Sequence, residues 1–497
     1  MGKKKSAPVK KASSTSYAGR AFEPAPDENK SGGGGALQLS HVLIAALFLA
    51  AGILTPPLIN WWQSTAAASS RSDGGGDSSA VLNSSADGRV LTKDTGSASS
   101  GGLPIRTPCS EENLANFIHD HIAIGMHIVC FSCDADDGDD CVGLTYKYYR
   151  NMYTTFQGSV DAGAEAKSSL SALKQSLVDS LSLPLPGPLQ QPYALFTPRG
   201  ERLVGALDEL SEEDEEETIA SLIKSEMVII MEGGSWTWPG VRIGFTRTID
   251  LYSIMPGPPG TRLGGEEKKR TAEIETLSLK PLVVSVKGFI EPDECDYIQE
   301  EAGPHMRYSG VSLMDKDKGR PASDWRTSQS TFLHATNDTP VLYEIEQRTA
   351  SLTRIPRQNQ EDTQVLRYGH SEKYDAHHDF FNPELYQSSP GTLELIENGR
   401  RNRQATVFWY LSDVAKGGET VFPRFGGAPQ PHDFKDCTKG LRVRPEKGKV
   451  IIFYDLLPNG KMDDLSLHGG CPVVDGVKWA ANKWVWNAEM QYVSDVE

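Results

Sequence analysis

"KYDAHHDFF" (373–381) sets two histidines side by side with an aspartate directly after them. On an extended chain successive side chains leave opposite faces. His377 and Asp379, two apart, therefore share a face, and His378 points the other way. The two rings cannot easily serve one site together.

Working outward, the stretch belongs to a series of short strand-like runs. From about Leu277, "LVVSVKGFI" leads into "EPDECDYIQEEA", a capped helix start, and "PVLYEIEQRTASLTRI" reads as a second helix ended by Pro356. After it come "TQVLRYG", "KYDAHHDFF", "ATVFWYLSD", "ETVFP", "LRVRPEKGKVIIFYDL" and "KWAANKWVWN". Short strands in succession after helices predict an α+β domain built on a β-sandwich or jelly roll.

An H-x-D pair on one face needs one more histidine to complete a two-histidine, one-carboxylate triad. That donor set leaves three positions open on iron(II), as oxygen activation requires. Only His432 and His468 follow in the chain. His432 lies in the loop-like "GGAPQPHDFKDC", whereas His468 sits in "LSLHGGCPVVDGVKWAANKW", just ahead of a strand–turn–strand pattern. Lys478 follows across the "VVDG" turn, and in a hairpin both side chains reach one cavity. A buried lysine needs an anion, which a dicarboxylate co-substrate supplies. Taken singly these signals are weak: a lone H-x-D is most often incidental, and a lysine beside tryptophans usually snorkels at the surface.

Together the pieces resemble a family. The resemblance runs through "RTSQSTFL", "IEQRTASLTRIP", "QVLRYGHSEKYDAHHDFF", "ATVFWYLSD", "GGETVFP", "VRPEKGKVIIFYDLLPNGKMDDLSLHGGCPV" and "KWAANKWV". From about 280 to 490 the chain is similar to the prolyl 4-hydroxylases, Fe(II)- and 2-oxoglutarate-dependent dioxygenases of the double-stranded β-helix fold. The resemblance implies His377, Asp379 and His468 as iron ligands and Lys478 as partner of the distal 2-oxoglutarate carboxylate. It implies Tyr368 and Thr420 as hydrogen-bonding neighbours of that same end, and Arg403 and Trp484 at a peptide groove. It also implies a Cys437–Cys471 disulfide, and O2 and L-ascorbate beside Fe(II) and 2-oxoglutarate as the small molecules of the reaction. The expected chemistry is hydroxylation of a peptidyl proline coupled to decarboxylation of 2-oxoglutarate to succinate and CO2. Two departures fall outside the ligand set: Ser330 stands where the pattern has glycine, and Ser371-Glu372 replaces Gly-Gln.

A proline-rich polypeptide is preformed as polyproline II and docks on aromatic grooves. Trp409, Tyr410, Trp479, Trp484 and Trp486 could line one, although alternation commits some of them to the core. The formal net charge of −16 argues against a nucleic-acid partner.

The N-terminus has another character. A basic tail (1–40) precedes "HVLIAALFLAAGILTPPLI" (41–59), which contains no Asp, Glu, Lys or Arg and is followed by Trp61 and Trp62. It is expected to be a transmembrane signal-anchor that leaves the tail cytoplasmic and the rest lumenal, in the endoplasmic reticulum or Golgi membrane. A cleaved signal peptide is the alternative, with "STAAAS" (64–69) offering small residues. Residues 60–105 are a Ser/Gly-rich stalk, with Asn83 in a glycosylation sequon, and 106–275 form a cysteine-containing mixed α/β region without a motif. There "ENLANFIHDHIAIGMHIV" and "AKSSLSALKQSLVDSLS" read as helices, and "EMVIIMEG" and "VRIGFTRTIDLYSI" as strands. "CFSC" (130–133) could suggest redox or zinc chemistry but reads better as part of a structural disulfide cluster, and the Cys437–Cys471 pair that the resemblance implies leaves Cys109, Cys130, Cys133 and Cys141 to pair among themselves and Cys295 free. Residues 276–492 are the expected dioxygenase domain. The competing readings keep the chemistry on another substrate, a peptidyl lysine or another proline carbon, or reduce the domain to a non-catalytic binder of proline-rich chains.

Overall fold

The computed structural model describes residues 267–490, except 337. It also describes 126–133, 144–151, 154–160, 169–183, 193–197, 200, 202–204, 219, 227–233 and 243–254. The tail, anchor, stalk and Asn83 expected from the sequence lie outside these residues, as do Cys109 and Cys141. Among the described residues no helix is long and apolar enough to cross a membrane.

The first sheet is antiparallel. It comprises β1 (Met126–Cys133), β2 (Leu144–Asn151), β3 (Thr154–Val160), β4 (Ala194–Phe196), β5 (Arg202–Val204) and β6 (Met227–Met231), in the order β3-β2-β1-β6-β4-β5. Helix α1 (Leu170–Ser180) places Leu170, Leu173 and Leu177, at helical spacing, against Val129, Phe131, Val228 and Ile230 of that sheet. The expected helix over 112–129 is corrected at its end. Met126–Val129 open β1, where Ile128 and Val129 alternate into two different apolar clusters, a period-two pattern that only a strand satisfies.

Nine strands form the main sheet. They begin with β7 (Thr246–Ile254), β8 (Glu267–Leu279), β9 (Leu282–Lys287), β10 (Arg307–Tyr308), β11 (Gln329–Leu333) and β12 (Thr363–Tyr368). A smaller sheet starts with β13 (Tyr374–His377), and the main sheet resumes at β14 (Arg403–Tyr410). There follow β15 (Lys416–Gly417), β16 (Thr420–Phe422), β17 (Leu441–Val443), β18 (Val450–Tyr454), β19 (His468–Gly470), β20 (Val473–Asp475) and β21 (Lys478–Trp486). The main sheet runs β10-β11-β12-β21-β14-β18-β9-β8-β7, the smaller β13-β19-β16-β17, and every strand pair is antiparallel. The main sheet starts at Thr246, ahead of the boundary expected at 276.

Period-two alternation splits the central strands between two cores. Ala405, Val407, Trp409, Val450 and Ile452 pack with Cys295 and Ile298 of α2 (Pro292–Ala302) and with Leu342, Ile345 and Leu352 of α3 (Pro340–Thr353). Their neighbours Phe408, Tyr410, Ile451 and Phe453 face the smaller sheet and meet Phe422 and Val443. Two antiparallel sheets thus enclose one core while helices cover the outer face. This is the architecture of the α+β jelly-roll expectation. Trp409, Tyr410, Trp484 and Trp486 are all buried: Trp409 lies in the first of these cores, Tyr410 in the second, and Trp486 in a separate cluster with Phe381 and Tyr386; Trp479 alone of the five candidates is half-exposed.

Candidate active site

The site lies in the space between the two sheets. β13 pairs with β19 so that His377 stands directly opposite His468, with ring centroids 4.6 Å apart. Gly469 permits this approach: a Cβ there would meet the Ala376 backbone and the Tyr374 carbonyl oxygen at 3.1 Å.

Asp379 arrives differently from the expectation of one strand through 373–381. β13 ends at His377, and the chain turns toward β14. There the Asp379 carbonyl accepts from the Arg403 guanidinium at 3.3 Å, and its carboxylate accepts from the Thr406 hydroxyl at 2.7 Å. The pull of β14 replaces the ladder. His378 turns away as expected: its Nε2 donates to the Asp464 carbonyl at 3.1 Å and its ring stacks on Phe380.

Both site histidines are oriented by backbone carbonyls. Nδ1 of His377 donates to Asp375 O at 2.8 Å, and Nδ1 of His468 to Ser466 O at 2.9 Å. Each Nε2 therefore presents a lone pair. His377 Nε2 lies 3.7 Å from Asp379 Oδ1, and His468 Nε2 lies 3.5 Å from Oδ2. Burial, and next the His468 ring, push His377 down to about 3, which keeps it neutral. Burial opposes ionisation of Asp379, but the two imidazoles and Arg403 outweigh it and hold the carboxyl well below the usual range. Two nitrogen lone pairs and a carboxylate converge here, with ligand atoms all within 4.8 Å of one another. Two imidazole nitrogens with one carboxylate suit a divalent iron. Among the described residues no other His/Cys/Asp/Glu cluster could hold a metal.

Lys478 faces the same space from the main sheet. The hairpin expected to join it to His468 is corrected: β19 belongs to the smaller sheet and β21 to the larger, so the two residues approach from opposing layers. Lys478 is 1% exposed and is the cross-strand partner of Tyr368. Its Nζ lies 5.3 Å from the Tyr368 ring, 5.3 Å from Phe408 and 5.5 Å from Tyr410. It forms no ion pair among the described residues, and burial pushes it down to about 7. Tyr410 in turn donates its hydroxyl to Thr420 Oγ1 at 2.7 Å. An ammonium caged by rings without a carboxylate is a receptor for an anion.

Arg403 and Trp484, expected at a peptide groove, are stacked, with the guanidinium 3.6 Å from the indole centroid. Glu361 grips Arg403 at 2.7 and 3.0 Å and also accepts from Trp486 Nε1 at 2.6 Å. The expected Cys437–Cys471 disulfide is present and ties the loop ahead of β17 to the residue after β19. Cys130 is also disulfide-bonded, and Cys295 is a buried free thiol. Ser330, which stands where the pattern has glycine, accepts a hydrogen bond from the Ser309 hydroxyl at 3.0 Å. Sequence reasoning missed Phe408 and Thr406, and gave Tyr410 no part at the lysine. The alternation in "ATVFWYLSD" would have put these three on one face.

The chain has recognisable relatives. A family model described as 2OG-Fe(II) oxygenase superfamily matches residues 363–486. A probable prolyl 4-hydroxylase 4 of Arabidopsis thaliana is 39% identical over 222 residues, 43% of this chain and 70% of the relative. A probable prolyl 4-hydroxylase 10 of the same plant is 36% identical over 274 residues, 54% of this chain and 90% of the relative. The crystal structure of the viral collagen prolyl hydroxylase of Paramecium Bursaria Chlorella virus-1, in complex with 2OG, aligns with a TM-score of 0.29 at 26% identity. That alignment covers 41% of this chain and 95% of the viral one. At this identity, over most of the relatives' length, the chain belongs to the prolyl 4-hydroxylase family of 2OG-Fe(II) oxygenases.

Proposed function

We propose that this chain hydroxylates peptidyl prolines at carbon 4, with Fe(II) and 2-oxoglutarate as cofactor and co-substrate. The observation that carries the reading is the convergence of His377, His468 and Asp379 opposite a caged, unpaired Lys478. Bound iron with 2-oxoglutarate and O2 supplies the oxidising chemistry, placing one oxygen atom in the hydroxyproline and the other in succinate as CO2 leaves.

The protein's residues do the holding. His377, His468 and Asp379 are the iron ligands, their orientation set by Asp375 O, Ser466 O and Thr406. Lys478 pairs with the distal carboxylate of 2-oxoglutarate, with Tyr368 and Thr420 beside it. The aromatic cage excludes water, so one charge pair there is worth more than at the surface. Arg403 and Trp484 act at the edge of the metal centre, where the substrate's C–H bond has to arrive. Ascorbate serves to reduce iron oxidised in uncoupled turnovers.

The substrate in this reading is a proline-rich polypeptide. The N-terminal segment 41–59 anchors the protein in the endoplasmic reticulum or Golgi membrane with residues 60–497 lumenal, and two features favour this placement. The segment is uncharged and flanked by basic residues on one side, and the catalytic part carries a disulfide.

The test is to incubate the full-length protein with Fe(II), 2-oxoglutarate and a panel of proline-rich and lysine-containing peptides. Mass and regiochemistry of the product then decide. Product at peptidyl lysine or another proline carbon moves the assignment within the same chemistry, and 2-oxoglutarate-independent peptide binding without turnover overturns it.

A further inference from the structure

A second buried carboxyl stands behind the metal centre. Asp455 continues the inward face of β18 after Ile451 and Phe453 and is 0% exposed. Its Oδ1 has no hydrogen-bond partner. Its Oδ2 lies 3.0 Å from Thr406 Oγ1, and the same hydroxyl lies 2.7 Å from Asp379 Oδ2.

A threonine hydroxyl has one hydrogen and cannot donate to both carboxyls. If both were ionised, one anionic oxygen would be held against a lone pair in a dry environment, at high cost. One of the two must therefore be the donor. A carboxyl that ligates a divalent metal does so as its anion, so Asp379 is the acceptor and Asp455 the donor. Asp455 is buried and faces Asp379 and Asp463; Arg403 and the Thr406 contact only partly offset this, and its neutral form is favoured.

We propose that Asp455 is a positioning residue. As a neutral carboxylic acid it donates its O–H to Thr406 Oγ1, so that the Thr406 O–H is committed to Asp379 Oδ2 and Asp379 Oδ1 is left for the metal. The chain fixes the rotation of the carboxylate and occupies one of its two oxygens. Such support of a ligating carboxylate typically matters 10- to 100-fold, in rough terms, for metal affinity. This inference rests on the reading that His377, Asp379 and His468 hold the metal.

The test uses the full-length protein and cobalt(II), a redox-stable substitute for iron(II), titrated by its visible absorption. Asp455→Asn, which offers an N–H in place of the O–H, and Thr406→Ser should bind cobalt within about 3-fold of wild type. Asp455→Leu and Thr406→Val should each weaken binding about 10- to 100-fold. Wild-type affinity in Thr406→Val, or equal loss in Asp455→Asn and Asp455→Leu, would overturn the relay. Should the apolar variants fail to fold, an infrared difference spectrum of wild type against Asp455→Asn at neutral pH decides. The proposal expects the carbonyl stretch of a protonated carboxylic acid in wild type, and its absence contradicts the proposal. If wild type itself binds no cobalt, the metal-site reading falls, while the infrared band still judges the relay.

Discussion

His377 and His468 are cross-strand partners, yet their side chains serve one point in space, with ring centroids 4.6 Å apart and both Nε2 atoms turned toward Asp379. Direct pairing across an antiparallel ladder keeps two side chains on one face of the sheet. The pairing, rather than either residue alone, defines the metal position. His377→Ala, Asp379→Ala and His468→Ala should each reduce succinate formation by about 100-fold or more, since losing a ligand exceeds losing its support. His378→Ala should retain most activity, because that ring faces Asp464 and Phe380. The comparison is a coupled succinate assay on purified variants.

Lys478 makes a prediction about pH. Burial holds its folded pKa near 7, below the ordinary value of 10.5. Between those values the native state binds fewer protons than the unfolded chain, so this group's contribution to stability rises with pH from about 7 to 10.5. Below 7 the cost of burying the ammonium is present in full. In the proposed function Lys478 holds the 2-oxoglutarate carboxylate as its ammonium form. The KM for 2-oxoglutarate should therefore climb above pH 7, approaching about tenfold per unit by pH 9. Lys478→Met should raise that KM about 30-fold or more and flatten its pH dependence, while stabilising the 2-oxoglutarate-free protein at pH 6.

Gly469 tests the close approach of β13 and β19. A methyl group there would sit 3.1 Å from Ala376 backbone atoms, forcing the strands apart. Gly469→Ala should cost about 1–3 kcal/mol of stability by overpacking and weaken metal binding by displacing His377 from His468. Urea unfolding and cobalt titration of the same preparation measure the two effects.

The Cys437–Cys471 disulfide closes a sequence separation of 34 residues and ends one residue beyond β19. Cys437→Ser or Cys471→Ser should lower stability by about 2–4 kcal/mol. A thermal melt under non-reducing conditions checks this, with each variant expected to melt below the wild type and a wild-type melting temperature in both contradicting it.

The sequence made the ligand set legible because chemistry and spacing coincide at few positions: H-x-D, one later histidine in a strand-like context, and a lysine amid apolar residues. The main elements of the catalytic half were legible for a related reason, since short alternating runs bounded by Gly and Pro leave little choice. What stayed hidden depended on which sheets face each other. Nothing in "VKWAANKW" says that Tyr368, Phe408 and Tyr410 surround Lys478, because that cage is assembled across strands 68 to 110 positions apart in the chain. The turn that delivers Asp379 is likewise set by Arg403 and Thr406 on β14, not by its own neighbours. Asp455 looked like any polar residue at a strand end. Its meaning comes from burial and from the hydroxyl it shares with Asp379.

The most direct measurement of the central claim is product analysis on a proline-rich peptide, performed with full-length wild type and with His377→Ala and Lys478→Met. The account predicts 4-hydroxyproline in wild type, equimolar with succinate and dependent on Fe(II) and 2-oxoglutarate, almost none in His377→Ala, and in Lys478→Met product only when 2-oxoglutarate is raised about 30-fold or more. Hydroxyproline formed at wild-type rates by His377→Ala would contradict it.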